Sequence, residues 1–188
     1  MRDQPSYDFA VAHFECETAL CPDMALFLPP LGRGAPSVDV FYLLRTDKER
    51  AALADAPRAG STSRVGDWLV ESRLPIETRK LLGLVRQVRS GRWDRLALRT
   101  ASCEAAARAR VLRGCRLLSS GRVVISDRLH AHLLSLLLDI PHAVLDNSYG
   151  KLGRFLDVWA GGAPGVHRAA SIDDAEQWAA TMVSSTGA

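Results

Sequence analysis

Arg128, His130, Lys151 and Arg45 are the side chains of this chain whose types and placement could do chemistry. Arg128 and His130 follow the apolar run Val123-Val-Ile-Ser126, and Lys151 follows His142-Ala-Val-Leu145 after the turn cluster Asn147-Ser-Tyr-Gly150. Arg45 follows a third run, Val38 to Leu44. An α/β protein builds an anion site at the carboxyl ends of parallel strands, where helices begin and backbone N–H groups are unpaired. Several cations on that edge suit a small ligand with more than one negative charge. Blander readings stand beside this one. An arginine at a helix start can serve a surface salt bridge, a histidine can be a hydrogen-bonded core ring, and Lys151 taken alone reads as solvated.

The elements that must position these residues follow from pattern and punctuation. Val123–Ser126 is short, apolar and bounded by Gly121 and Asp127, as a buried strand is. Asp127 is a good N-cap, which puts Arg128, Leu129 and His130 on the first turn of a helix running to about Asp139. Leucines at 129, 133, 134, 136, 137 and 138 make that helix apolar almost all round, hence buried. Pro141 disfavours helical geometry at Ile140 and ends it. His142–Leu145 is the next strand, so the segment forms one right-handed βαβ unit. His132 faces away from His130 and is assigned to packing, and His142, inside a strand, has no chemical role. Lys151 opens a helix through Phe155 and Trp159.

These residues also carry a family resemblance. Ser126-Asp-Arg-Leu-His130, with Pro141 and Leu145-Asp-Asn-Ser-Tyr-Gly-Lys151, resembles the carboxy-terminal signature of the polysaccharide pyruvyl transferases. Further matches are Arg2-Asp-Gln-Pro-Ser6, Cys21-Pro-Asp-Met-Ala25, Leu44-Arg-Thr-Asp-Lys-Glu49 and Asp67-Trp68, so the resemblance covers roughly residues 1–160. It implies a glycosyltransferase-B-like architecture of two Rossmann-type domains with the active site in the cleft between them. The implied reaction moves a pyruvyl group from phosphoenolpyruvate to sugar hydroxyls as a ketal. The family's Arg-Leu-His donor motif falls on Arg128, Leu129 and His130.

Arg128 would then clamp the donor's carboxylate or phosphate through its planar fork. His130 would bind phosphate or protonate the methylene carbon, and Lys151 and Arg45 would assist at the phosphate. The acceptor-side base would come from outside this chain, with Asp3 as a weak stand-in. No metal or further cofactor is implied. The partners are phosphoenolpyruvate and a saccharide acceptor, lipid-linked in many members, and no nucleic acid is implied. Members run to about twice this length, so the chain is expected to be a carboxy-terminal half whose amino-terminal half is a separate or missing piece.

The resulting expectation is an α/β, Rossmann-like parallel sheet flanked by helices, resembling the carboxy-terminal half of a glycosyltransferase-B-like fold. Residues 1–36 would be a remnant of the amino-terminal domain and linker, with Pro29-Pro30 and Gly32 as linker signals. Residues 37–165 would form the donor-binding domain. Residues 166–188 would add a carboxy-terminal helix, capped at Ser171, that could cross back to the other domain.

Composition agrees with one folded unit. The chain has 188 residues, 47% of them hydrophobic, which suffices for one sizeable core. No apolar run reaches the roughly 18 residues a spanning helix needs, and the start carries no apolar leader, so a cytoplasmic location, at the inner face of the membrane where an acceptor is lipid-linked, is expected. Cysteines 16, 21, 103 and 115 form no Cys-x-x-Cys pair and read as reduced thiols, and His13 with Cys16 and Cys21 is only a weak metal cluster.

A net charge of +3 hides a basic cluster: Arg79, Lys80, Arg86, Arg89, Arg92, Arg95 and Arg99. With Leu81, Leu82, Leu84, Val85 and Val88 between them it reads as a solvated helix, or as one that touches an anionic bilayer. Aromatic interleaving, which nucleic-acid binding would favour, is missing.

A short helix spans Tyr7 to Phe14 with Ser6 as its cap. Residues 56–75 form an irregular connection with room for a short helix, and the basic helix starts at Ile76. Arg95–Arg99 is strand-like, and Cys103 to Leu118 is helical.

Overall fold

A computed structural model describes residues 1–45, 62–68, 73–91, 94–146, 150–160 and 162–186. The segments Thr46–Glu49 and Asn147–Tyr149, together with Arg92, therefore lie outside the described residues. The chain divides into two compact units, Met1–Asp67 with Leu118–Ala188, and Trp68–Leu117.

The first unit is a five-stranded, wholly parallel sheet in the order β2-β1-β3-β4-β5. Its strands are β1 (Val38–Leu43), β2 (Ser63–Val65), β3 (Gly121–Ser126), β4 (His142–Leu145) and β5 (Val166–Ala169). Parallel strands covered on both faces read as continuous apolar runs rather than as alternation, which is why β3 and β4 were legible. Leu43 lies opposite Ser126, and Ser126 opposite Val144, so the three central strands end in step.

One face of this sheet carries Tyr42, Leu44, Val123, Ile125, Ala143 and Leu145. They pack under Ile172, Ala175 and Ala179 of the last helix, Ile172–Thr186. Its first turn is as expected: Ser171 Oγ accepts from the Asp174 N–H, and Asp173 and Asp174 face the positive helix end. The other face carries Val144 against Leu133, Leu152, Phe155 and Leu156. Leu133 belongs to the helix Leu129–Leu137, and the remaining three to Lys151–Phe155 and the π turn Leu156–Ala160 that continues it. These are α6, α4 and α5 in chain order. α1 is Gln4–His13, α2 Arg73–Arg89 and α3 Arg95–Ser119.

Several expectations need correction. Arg95–Arg99 is not a strand but the first turn of α3: the Asp94 carboxylate accepts from the Ala97 N–H at 2.8 Å. That aspartate is a cap signal that the alternation of Leu96 and Leu98 with arginines concealed. α1 is capped by Asp3, which accepts from the Ser6 N–H, so the helix starts at Gln4 and not after Ser6. α2 starts at Arg73, and Pro75 sits in its first turn, where a missing N–H costs nothing. β2 and β5 were not foreseen. Both are short, and β2 is largely exposed at a sheet edge, so neither shows the apolar run of the central strands.

In the second unit, α2 and the α3 residues up to Leu117 pack where Gly83 meets Ala101 and Ala105. α2 exposes Leu74, Leu81, Leu82 and Val85 alongside Arg79 and Arg86. No helix among the described residues is long and apolar enough to cross a membrane.

Candidate active site

The carboxyl ends of β1 and β3 are stitched together by two short side chains. Ser126 Oγ donates to the Leu43 carbonyl at 2.6 Å and accepts from the Arg128 N–H at 3.2 Å. The fully buried Asp127 accepts from the Arg45 N–H at 2.9 Å. The backbones of Arg45 and Arg128 are thereby fixed to one carboxylate-and-hydroxyl clasp at the same sheet edge. This corrects the assignment of Asp127 as N-cap of α4. Its carboxylate is used across the strands, and Arg128 occupies the cap position without a side-chain bond.

Arg128 is almost enclosed, with 12% of its side chain exposed. Its Nη2 lies 3.4 Å from Asp67 Oδ1, and its buried Nε has no hydrogen-bond partner among the described residues. Leu129 packs on the Val144–Leu133 cluster and orients the first turn of α4. His130 is the exposed member, 65% open, with Nε2 3.8 Å from Asp23 Oδ2. Lys151 is exposed at the head of α5, after Gly150 with φ 65°, a left-handed conformation that favours glycine. Asp146, just past β4, accepts from the Leu152 N–H and fixes that turn. Arg45, Arg128, His130 and Lys151 thus all follow the carboxyl ends of neighbouring strands.

Asp3 is occupied as the cap of α1. Burial alone would raise its carboxyl, but the bonds from Ser6 and the charges of Arg154 and Arg2 hold it below the usual range. His13 Nδ1 lies on the Phe9 carbonyl, and Cys16 is near Thr18. Among the described residues, no three of His, Cys, Asp and Glu are grouped so as to hold a metal ion, and all four cysteines are free thiols.

Sequence reasoning assigned no role to Asp23 or Asp67, the carboxylates facing His130 and Arg128. Both lie inside short segments, Cys21–Ala25 and Asp67-Trp68, singled out for their resemblance. That was the only signal available, because His130 lies more than 100 residues from Asp23 and Arg128 is 61 residues from Asp67.

The fold and edge define a Rossmann-like α/β protein with cationic side chains gathered at the carboxyl edge of its sheet. Residues 1–149 match the polysaccharide pyruvyl transferase family, and the chain belongs to that family. It is 34% identical over 178 residues to "Pyruvyl transferase 1" of Schizosaccharomyces pombe, an alignment covering 86% of this chain and 39% of that protein. It is 30% identical over 178 residues to "Putative pyruvyl transferase EpsO" of Bacillus subtilis, covering 87% and 50%. "General stress protein 30" of Bacillus subtilis is 25% identical over 150 residues, covering 80% and 38%. The chain therefore spans half or less of the length of these relatives.

Proposed function

We propose that this chain forms the phosphoenolpyruvate-binding half of a pyruvyl transferase acting in polysaccharide biosynthesis. One observation carries the reading: the nearly enclosed guanidinium of Arg128 keeps a buried Nε–H without an acceptor among the described residues, while its backbone is held by the clasp that ends β3. A buried donor without a partner is costly, and an oxyanion at that position would supply the bond.

Phosphoenolpyruvate offers two oxyanions. Arg128 would take one through its fork, and Arg45 and Lys151 would approach the phosphate. His130 would deliver a proton to the methylene carbon. As that C–H bond forms from the enol pair, the adjacent carbon becomes electrophilic and is captured by a sugar hydroxyl. A second hydroxyl would then displace phosphate and close the ketal. The base that deprotonates the acceptor would come from outside this chain.

In this reading residues 1–36 adjoin the remaining domain of a glycosyltransferase-B-like protein. The exposure of Phe9, Phe14, Met24 and Phe27 supports that contact. The reaction would take place in the cytoplasm, where phosphoenolpyruvate is made. The apolar and basic surface of α2 supports peripheral contact with an anionic membrane that carries the acceptor.

The test is phosphate release from phosphoenolpyruvate in the presence of saccharide acceptors. Arg128→Lys keeps the charge but not the fork, and should cost about 1.5–3 kcal/mol, or roughly tenfold to a hundredfold. His130→Ala should lose at least as much, because general acid catalysis contributes about 10²–10⁴-fold. Undiminished transfer by both variants would overturn the donor-site assignment. Transfer from a nucleotide sugar but not from phosphoenolpyruvate would make the protein a glycosyltransferase.

A further inference from the structure

The amino-terminal segment reaches the start of α4 through one carboxylate. Asp23 Oδ1 accepts from the Ala25 N–H at 3.0 Å and caps the 3₁₀ turn Met24–Phe27. Its Oδ2 accepts from Arg2 Nη1 at 2.8 Å and lies 3.8 Å from His130 Nε2. Arg2 is itself held, since its carbonyl accepts from Trp159 Nε1 at 2.9 Å. Residues 1 and 21 are tied as well, the Cys21 N–H donating to the Met1 carbonyl at 2.7 Å. Two other segments, through Arg2 and His130, therefore meet at Asp23, whose side chain is 13% exposed beside a His130 ring that is 65% exposed.

This is a fixed acceptor facing a movable donor. Burial alone would raise the Asp23 carboxyl, but the Ala25 N–H, Arg2 and His130 outweigh it and hold it below the usual carboxylate range. The anion is therefore present throughout the neutral range. A small rotation of the open imidazole would close 3.8 Å to hydrogen-bond length, as often happens only when a ligand arrives. A ring donating Nε2–H to a carboxylate presents Nδ1 to whatever lies on its other side.

We propose that Asp23 is a positioning residue for His130: it selects the ring orientation in which Nε2–H faces the carboxylate and Nδ1 faces the donor substrate, with Arg2 anchoring the carboxylate. This rests on the pyruvyl-transfer reading and deepens it, because it names the nitrogen that works. The proton leaves Nδ1 as the Nδ1–H bond breaks and the methylene C–H bond forms. The ring is left neutral with its remaining proton on Nε2, against Asp23.

Two variants separate this role from simple capping. Asp23→Asn keeps an oxygen to cap Ala25 but turns an NH₂ toward His130 and Arg2, where it cannot accept. Asp23→Glu keeps the charge, but its extra methylene spoils the cap. Positioning predicts that Asp23→Asn melts close to wild type yet loses about tenfold or more in kcat with a smaller change in KM. Asp23→Glu should melt lower yet keep more turnover than Asp23→Asn. A purely structural cap predicts the reverse order, and that result would overturn the proposal.

Imidazole ¹⁵N spectra of the ligand-free protein give a reading that needs no activity. The neutral His130 ring should favour Nε2–H in wild type and lose that preference in Asp23→Asn; unchanged tautomer populations would also overturn it. If wild type transfers no pyruvyl group while the tautomer shift is present, the pairing stands and the donor reading fails. If wild type transfers and Asp23→Asn matches it in kcat, the pairing has no catalytic role.

Discussion

His132 on α4 and His142 on β4 join through a hydrogen bond of 2.7 Å between Nδ1 and Nε2, in a place where neither ring is exposed. His142 Nδ1 lies 2.7 Å from the Ile140 carbonyl, which can only accept. The proton of His142 is therefore on Nδ1, its Nε2 is the acceptor, and His132 donates from Nδ1. That leaves His132 Nε2 deprotonated, buried and without a partner among the described residues. Two neutral rings thus bridge the helix that carries Arg128 and His130 to the neighbouring strand, from positions the sequence reading kept out of the chemistry itself.

This pair predicts acid sensitivity with a definite sign. Burial pushes both rings down, His132 further because His142 is beside it, while the Ile140 carbonyl offsets part of the effect on His142. With folded values below the unfolded value near 6.5, the unfolded chain binds more protons. Their stabilising contribution is complete above that value and falls as pH drops below it. Urea midpoints at pH 7.5, 6 and 5 should decline across a range where ordinary carboxylates remain largely ionised. A flat profile between pH 7.5 and 5 would refute the neutral pair.

The same bond should appear as coupling. His132→Leu strips the donor from a buried His142 Nε2, and His142→Leu strips the acceptor from His132 and the donor from Ile140. His132→Leu should cost about 1–3 kcal/mol, the penalty for one unsatisfied buried group, and His142→Leu more, because it leaves two. The double variant should cost less than the two combined, because neither ring nitrogen is left orphaned and only the Ile140 carbonyl stays without its donor. Denaturant unfolding of the four proteins measures the cycle, and strict additivity would mean that the rings do not interact.

The central fold was legible because it rests on local signals. β3, α4 and β4 each have an apolar run with a stop beside it, and Pro141 marks the boundary between the last two. Leu129 and His130 fall in the first turn of α4 as expected for the same reason, with Arg128 one position earlier, at its cap. What escaped was non-local. Asp127 looks like a cap by spacing, yet it bonds to Arg45, 82 residues away in sequence. Asp23 reaches His130, and Asp67 reaches Arg128, only after the chain has folded. β5 escaped because Val166–Ala169 is short and half polar, and its strand character comes from pairing with β4.

Gly121 opens β3 against β1 with no room for a side chain. A Cβ there would meet the Val123 carbonyl oxygen at 2.6 Å, Phe41 Cβ at 2.7 Å and the Phe41 nitrogen at 2.9 Å. Two of these three are backbone atoms in paired strands, which cannot step aside. Gly121→Ala should therefore destabilise by about 1–3 kcal/mol or more, as overpacking does. Gly32→Ala, with nothing within 4 Å among the described residues, should be near neutral. Thermal melts of the two variants make the comparison, and equal shifts would contradict the strand pairing at Gly121.

Tyr42 ties α6 to the centre of the sheet. Its ring is buried in the face that α6 covers, and its hydroxyl donates to Glu176 Oε1 at 2.9 Å. Burial, the bond to Glu176 and the carboxylate charge all push the phenol well above its ordinary value. With a raised folded value, the contribution is fully present below the unfolded value near 10 and is lost only as pH rises through the folded one. Tyr42→Phe keeps the ring and its packing but removes the bond to a charged acceptor, worth about 1.5–3 kcal/mol before solvent reaches the partly exposed carboxylate. We expect a loss at or below the lower end of that range. Hydrogen exchange should show it as faster exchange of the α6 amides, with β3 and β4 changed less. Glu176→Ala should cost more than Tyr42→Phe, because it leaves a buried hydroxyl without an acceptor instead of removing it. The opposite order would place the weight of this contact on ring packing and not on the hydrogen bond.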